Sequence, residues 1–122
     1  MSIMVVDDEK DIKLLFEQRF RREIKSGKLN FLFAFSGEEA CDYFKSNGSK
    51  DISQILSDIN MPGMNGLELL KWIKANYPEL KVAMITAYGN DENYKQAVEY
   101  GCDDYLIKPI DFGMLKEKVL PE

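Results

Sequence analysis

The chain has 122 residues, 45% of them apolar and 30% charged, with a formal net charge of −5. That is the length of one domain with a sizeable single core, and the acidic balance argues against direct binding to nucleic acid or to a membrane surface. There is no histidine, and Cys41 and Cys102 are the only cysteines; this excludes Ser-His-Asp and Cys-His catalysis, imidazole as a general base and an all-protein zinc site.

The two cysteines read as small semi-buried thiols. No apolar run approaches the ~20 residues of a membrane span. The start, Met1-Ser2-Ile3-Met4, has no positive region before an apolar core, so no signal peptide is visible and a cytoplasmic protein is expected.

Ile3-Met4-Val5-Val6 is a short continuous apolar run, as in a buried parallel strand. It stops at Asp7-Asp8-Glu9, where Asp8 or Glu9 is suited to cap the next helix. Residues 11–25 read as one helix. Ile12, Leu15, Phe16, Phe20 and Ile24 recur on one face, and Gly27 stops the run. Arg19, Arg21, Arg22 and Lys25 crowd its C-terminal half, where cations suit the dipole. That cluster reads as a solvated helix end; the alternative is a docking surface for an acidic partner. Residues 31–35 alternate with period two, three Phe on one face against Leu32 and Ala34 on the other, and predict the second strand. Ser36, with Glu39 three residues on, is a capping-box pattern for a helix through Ala40 and Phe44 to about residue 46.

Residues 52–57 predict the third strand, which leads to Asp58 before the Pro62-Gly63 turn. Asn65 can cap a helix to about residue 77, with Leu70, Ile73 and Tyr77 as its inner stripe. Trp72 falls opposite that stripe and reads as a surface aromatic. Residues 82–85 predict the fourth strand, left through Thr86-Ala87-Tyr88-Gly89. Residues 93–100 predict a short, polar, weakly patterned helix. Residues 105–107 predict the fifth strand, which ends at Lys108-Pro109. A last helix over 112–120 turns Phe112, Leu115 and Val119 inward.

Five short buried strands alternating with helices imply an α/β fold: a doubly wound five-stranded parallel sheet with helices on both faces. There is no long linker, repeat or low-complexity segment. The chain reads as one domain over residues 1–122, either complete or the N-terminal part of a longer protein.

In a parallel sheet all strands end on one edge, which is where open α/β sheets bind ligands. The predicted strands bring Asp7 and Asp8, Asp58, Thr86 and Lys108 to that edge, and none of these residues serves an apolar core. Carboxylates ~5 Å apart repel by roughly 3 kcal/mol per pair at an effective dielectric of ~20, and one lysine offsets only part of this. A divalent cation would remove most of it. An all-oxygen donor set favours Mg²⁺, with Mn²⁺ or Ca²⁺ as alternatives. Mg²⁺ commonly takes phosphate oxygens as further ligands, so the edge suits a metal and then a phosphoryl group.

With these residues in view, the sequence resembles the receiver domain of two-component response regulators. The likeness runs from Ile3 to about Leu120. It rests on Asp7-Asp8, on Asp58-Ile59-Asn60-Met61-Pro62-Gly63-Met64-Asn65-Gly66, on Thr86-Ala87 and on Lys108-Pro109, in that order and at the ends of the right strands. It implies a flavodoxin-like (receiver) fold with strand order 2-1-3-4-5. It implies Asp58 as phosphoacceptor, and Asp7, Asp8, Asp58 and the backbone carbonyl of Asn60 as ligands of Mg²⁺. Thr86, Ala87 and Lys108 would hold phosphoryl oxygens, and the Lys108-Pro109 peptide would be cis. Thr86 and Tyr105 would form a switch pair that reshapes the surface of the fourth helix, fifth strand and fifth helix. The implied donor is a phosphohistidine on a sensor histidine kinase or phosphotransfer protein. A phosphorylation-dependent homodimer and an effector domain or partner protein are further implied associations. Such a domain catalyses only its own phosphorylation and dephosphorylation. Tyr88, close after Thr86, would hinder attack by water and lengthen the life of the phosphoryl state.

Three other readings fit less well. An aspartyl-nucleophile phosphatase wants a second acid two residues after the nucleophile, where Asn60 stands. A flavin-binding module wants a Ser/Thr/Gly-rich loop where Asp7-Asp8-Glu9 stand. A pseudo-receiver that works without phosphorylation has no need of all five site groups.

Overall fold

The computed structural model describes residues 2–87 and 90–120. Its strands are β1 Ser2–Val6, β2 Asn30–Ala34, β3 Gln54–Asp58, β4 Lys81–Thr86 and β5 Asp104–Ile107. Its helices are α1 Asp11–Arg19, α2 Arg21–Lys25, α3 Gly37–Asn47, α4 Gly66–Asn76, α5 Asp91–Glu99 and α6 Phe112–Val119. All strand pairs are parallel and the sheet order is β2-β1-β3-β4-β5.

The period-two alternation of the strands feeds two cores, one on each face of the sheet. From β1, Met4 and Val6 point to the side covered by α3, α4 and α5, where they meet Phe44, Leu70, Ile73 and Ala97. Ile3 and Val5 point to the other side and meet Phe16, Phe20, Leu115 and Val119 of α1, α6 and the turn between α1 and α2. Continuous apolar runs are therefore what a sheet covered on both faces requires.

Where α1 meets α2, the predicted single helix over 11–25 is broken. Phe20 takes φ −104° and ψ 20°, ending α1 and opening α2. The i→i−4 bonds continue on either side, from Phe20 N–H to Phe16 C=O and from Ile24 N–H to Phe20 C=O. The apolar stripe also runs through unbroken, so the sequence periodicity carries no sign of the break. The Phe20 ring is fully buried, 5.9 Å from Phe16 and edge-on to Phe31 at 4.9 Å. Phe35 lies beyond β2, so only Phe31 and Phe33 of the three-Phe face join that aromatic cluster.

Two other local expectations change. Neither Asp8 nor Glu9 caps α1, whose N-cap is Lys10 without a side-chain bond; instead Asp7 Oδ1 accepts the Glu9 N–H at 2.9 Å. Trp72 is half-buried rather than on the surface, because Phe44 and Tyr77 close around it with ring centroids 6.4 and 6.3 Å away. The caps expected at Ser36 and Asn65 both form, the first as only one half of the capping box its sequence pattern suggests. Ser36 Oγ accepts the Glu39 N–H at 3.0 Å. Asn65 and Glu68 exchange both bonds of a capping box, at 3.0 and 2.9 Å. Among the described residues, no helix is long and apolar enough to cross a membrane.

Candidate functional site

Register builds the site. Val6 lies opposite Ser57, so Asp7 comes level with Asp58. Asp58 lies opposite Ile85, which puts Thr86 one step beyond it. Thr86 lies opposite Ile107, which puts Lys108 one step beyond in turn. The five predicted residues thus arrive together on one edge, from four different strands.

Asp7 and Asp58 are buried, at 4% and 6% exposure, and Asp8 is exposed. Carboxylate oxygens of Asp7, Asp8 and Asp58 all lie within 4.8 Å of one another. Lys108 Nζ donates to Asp7 Oδ2 at 3.2 Å and stands 3.7 Å from Asp58 Oδ1. Thr86 is fully buried at the end of β4, and Asn60 Nδ2 donates to its Oγ1 at a long 3.5 Å. Ala87 follows on the exposed rim, and the Lys108-Pro109 peptide is cis. Tyr105 lies on β5 opposite Met84, its ring edge-on to Tyr94 at 5.2 Å. Its buried hydroxyl has no hydrogen-bond partner among the described residues. Tyr88 lies outside the described residues.

Burial and the neighbouring Asp7 push the Asp58 carboxyl up from 3.8 to about 6; Lys108 and the Ile59 N–H pull it back only in part. Burial alone would lower Lys108, yet Asp7 and Asp58 outweigh it and hold the ammonium above its ordinary range. The site therefore carries more negative charge than its lysine neutralises. Three hard oxygen donors converge there without nitrogen or sulfur, which fits a small oxygen-preferring divalent cation such as Mg²⁺. Beside them stand the Lys108 ammonium and, one step along β4, the Thr86 hydroxyl, groups able to donate to an anion's oxygens. A carboxylate so placed can act as a nucleophile toward a phosphoryl group.

Two features of the site were not predicted from sequence. The Asn60–Thr86 contact joins residues 26 apart, and no local pattern announces it. Gly66 is a requirement of close packing: its N–H donates to Ile59 C=O at 2.8 Å, and a Cβ there would run into the Asp58 carbonyl oxygen. Its place at the end of the Asp58 stretch was the available signal.

Residues 3–120 match the family model of the response regulator receiver domain. The chain is 40% identical over 110 residues to the DNA-binding transcriptional regulator NtrC of Proteus hauseri; the match covers 90% of this chain and 22% of that one. It is 33% identical over 121 residues to a chemotaxis protein CheY homolog of Campylobacter jejuni, covering 98% of this chain and 89% of the other. Among solved structures, the response regulator protein TrrA from Thermotoga maritima, in complex with Mg²⁺-BeF, superposes with a TM-score of 0.78 at 32% identity, covering 97% of this chain and 95% of that one. A match over nearly the whole chain, on a sheet that gathers these acids, this hydroxyl and this ammonium at one edge, places the chain in the response regulator receiver family, whose general function is phosphorylation-dependent signalling.

Proposed function

We propose that Asp58 accepts a phosphoryl group from a phosphohistidine on a sensor histidine kinase or phosphotransfer protein, within one receiver domain over residues 1–122. The observation that carries this is a buried strand-end carboxylate, Asp58, with Asp7 and Asp8 within 4.8 Å and Lys108 at 3.7 Å. That arrangement disfavours the folded chain by itself and becomes favourable once a cation and an anion enter.

Asp7, Asp8, Asp58 and the Asn60 carbonyl would hold Mg²⁺, and the Mg²⁺-BeF complex of TrrA supports this choice of cation. Bound there, Mg²⁺ supplies charge neutralisation on phosphoryl oxygens. The residues do the rest. An Asp58 carboxylate oxygen attacks phosphorus; the O–P bond forms as the P–N bond to the donor imidazole breaks, and the imidazole leaves with a proton. Lys108 turns its ammonium from Asp7 toward a phosphoryl oxygen. Thr86 Oγ and the Ala87 N–H donate to others. This is positioning plus electrostatic stabilisation, which is most of what phosphoryl transfer needs. The domain catalyses only its own phosphorylation and dephosphorylation.

Movement of Thr86 toward the phosphoryl group releases the Asn60 amide and lets Tyr105 follow. The surface of α5, β5 and α6, which exposes Tyr94, Val98 and Ile107, then changes its preference among partners: an effector domain, an effector protein or a second copy. The setting we propose is the cytoplasm, without direct contact to nucleic acid or membrane. Borohydride reduction of the phosphorylated chain tests the acceptor, because it converts an aspartyl phosphate to homoserine. Peptide sequencing should find homoserine at position 58; homoserine at another position, or none, contradicts the proposal.

A further inference from the structure

The turn between β3 and α4, residues 59–65, carries Asn60, whose carbonyl the proposed function gives to the metal. On one side the turn is fixed by its own ends, Gly66 N–H donating to Ile59 C=O at 2.8 Å. On the other it is held by α3. Glu38 Oε2 accepts the Met64 N–H at 3.0 Å, a bond between residues 26 apart. The same carboxylate lies over Gly63, at φ +73°, where a Cβ would come within 2.6 Å of Oε2. The Met64 side chain lies over Gly37, where a Cβ would meet its Cγ at 2.9 Å, and its sulfur is 3.7 Å from Cys41 Sγ. The first turn of α3 and the turn after Asp58 thus close on each other through two residues that have no side chain.

An exposed glutamate in a first helical turn ordinarily serves the helix dipole. Here the cap bond of α3 is already made between Ser36 and the Glu39 N–H. Glu38 instead directs its carboxylate away from its own helix, to a backbone N–H of another segment. We infer that Glu38 is a positioning residue: it latches the β3–α4 turn to α3 and so holds the Asn60 carbonyl where the metal needs it. The inference rests on the reading that this carbonyl is a metal ligand.

The test is calorimetric titration of the full chain with MgCl₂ at neutral pH, for the wild type, Glu38→Ala and Glu38→Gln. Gln keeps an oxygen acceptor for the Met64 N–H and loses the charge; Ala loses both. The latch predicts Mg²⁺ binding about three- to tenfold weaker for Ala and within about twofold of wild type for Gln, as expected for the loss of one hydrogen bond. Amide hydrogen exchange at Met64 should also quicken in Ala and not in Gln. Equal weakening in both variants assigns the effect to long-range charge and overturns the latch. Wild-type affinity and exchange in both overturn it as well. A wild-type chain that takes up no Mg²⁺ overturns the metal reading and the metal part of this inference with it, and that outcome is distinct from three equal affinities.

Discussion

At position 58 the fold buries a carboxylate beside Asp7, and Lys108 compensates only in part. The carboxyl rises from 3.8 to about 6, so between those values the folded chain binds more protons than the unfolded one. By linkage, the stability contributed by this group falls as pH rises through that window and stays low above it. A shift of this size corresponds to an upper limit of about 3 kcal/mol. Asp58→Asn should therefore raise the unfolding free energy by about 1–3 kcal/mol in EDTA at neutral pH, and the gain should vanish near pH 4. Urea denaturation across that pH range, with and without Mg²⁺, checks this. Mg²⁺ should narrow the difference, and a variant no more stable than wild type at neutral pH contradicts the electrostatic account. At this scale the site groups were legible in the sequence, because Asp7, Asp8, Asp58, Thr86 and Lys108 stand where the predicted strands end. The Asn60–Thr86 and Glu38–Met64 bonds were not legible. Each joins residues 26 apart through one polar atom, and such a pairing leaves no periodic trace.

Secondary elements were read well where a stripe or a cap residue marks them and less well where packing decides. Asn65 announced the start of α4, and the structure adds Glu68 to complete a capping box there. The break at Phe20 stayed hidden because the apolar stripe passes straight through it into an aromatic cluster that buries both Phe16 and Phe20. Trp72 was misplaced because a helical wheel does not know that Phe44 on α3 reaches across to it. The junction of β3 with α4 gives a prediction whose sign separates packing from propensity. Helix propensity alone favours Ala over Gly by up to about 1 kcal/mol. At Gly66, however, a Cβ would meet the Asp58 carbonyl oxygen, and would lie 2.8 Å from Ile59 Cα. Gly66→Ala should therefore destabilise the chain by about 1–3 kcal/mol, the usual cost of overpacking. Thermal and urea unfolding decide between the two, and a stabilised variant would mean that α4 can retreat from β3 at no cost.

Across the whole molecule, the alternation of buried strands with helices was enough to predict a parallel sheet covered on both faces, and the sheet is built that way. Strand order came from resemblance to receivers rather than from the pattern itself, since alternation alone does not say which strand lies beside which. Register came only from the structure, and it is register that brings Asp7 level with Asp58 and sets Thr86 and Lys108 a step beyond. The chain spans 22% of NtrC and 89% of the CheY homolog, so the same domain serves in both long and short proteins of the family. The most direct test is the intact mass of the chain after incubation with Mg²⁺ and acetyl phosphate, beside an EDTA sample and an Asp58→Asn sample. The account predicts one phosphoryl adduct, absent from both controls. An adduct that survives in Asp58→Asn or in EDTA, or no adduct in the wild type with Mg²⁺, would contradict it.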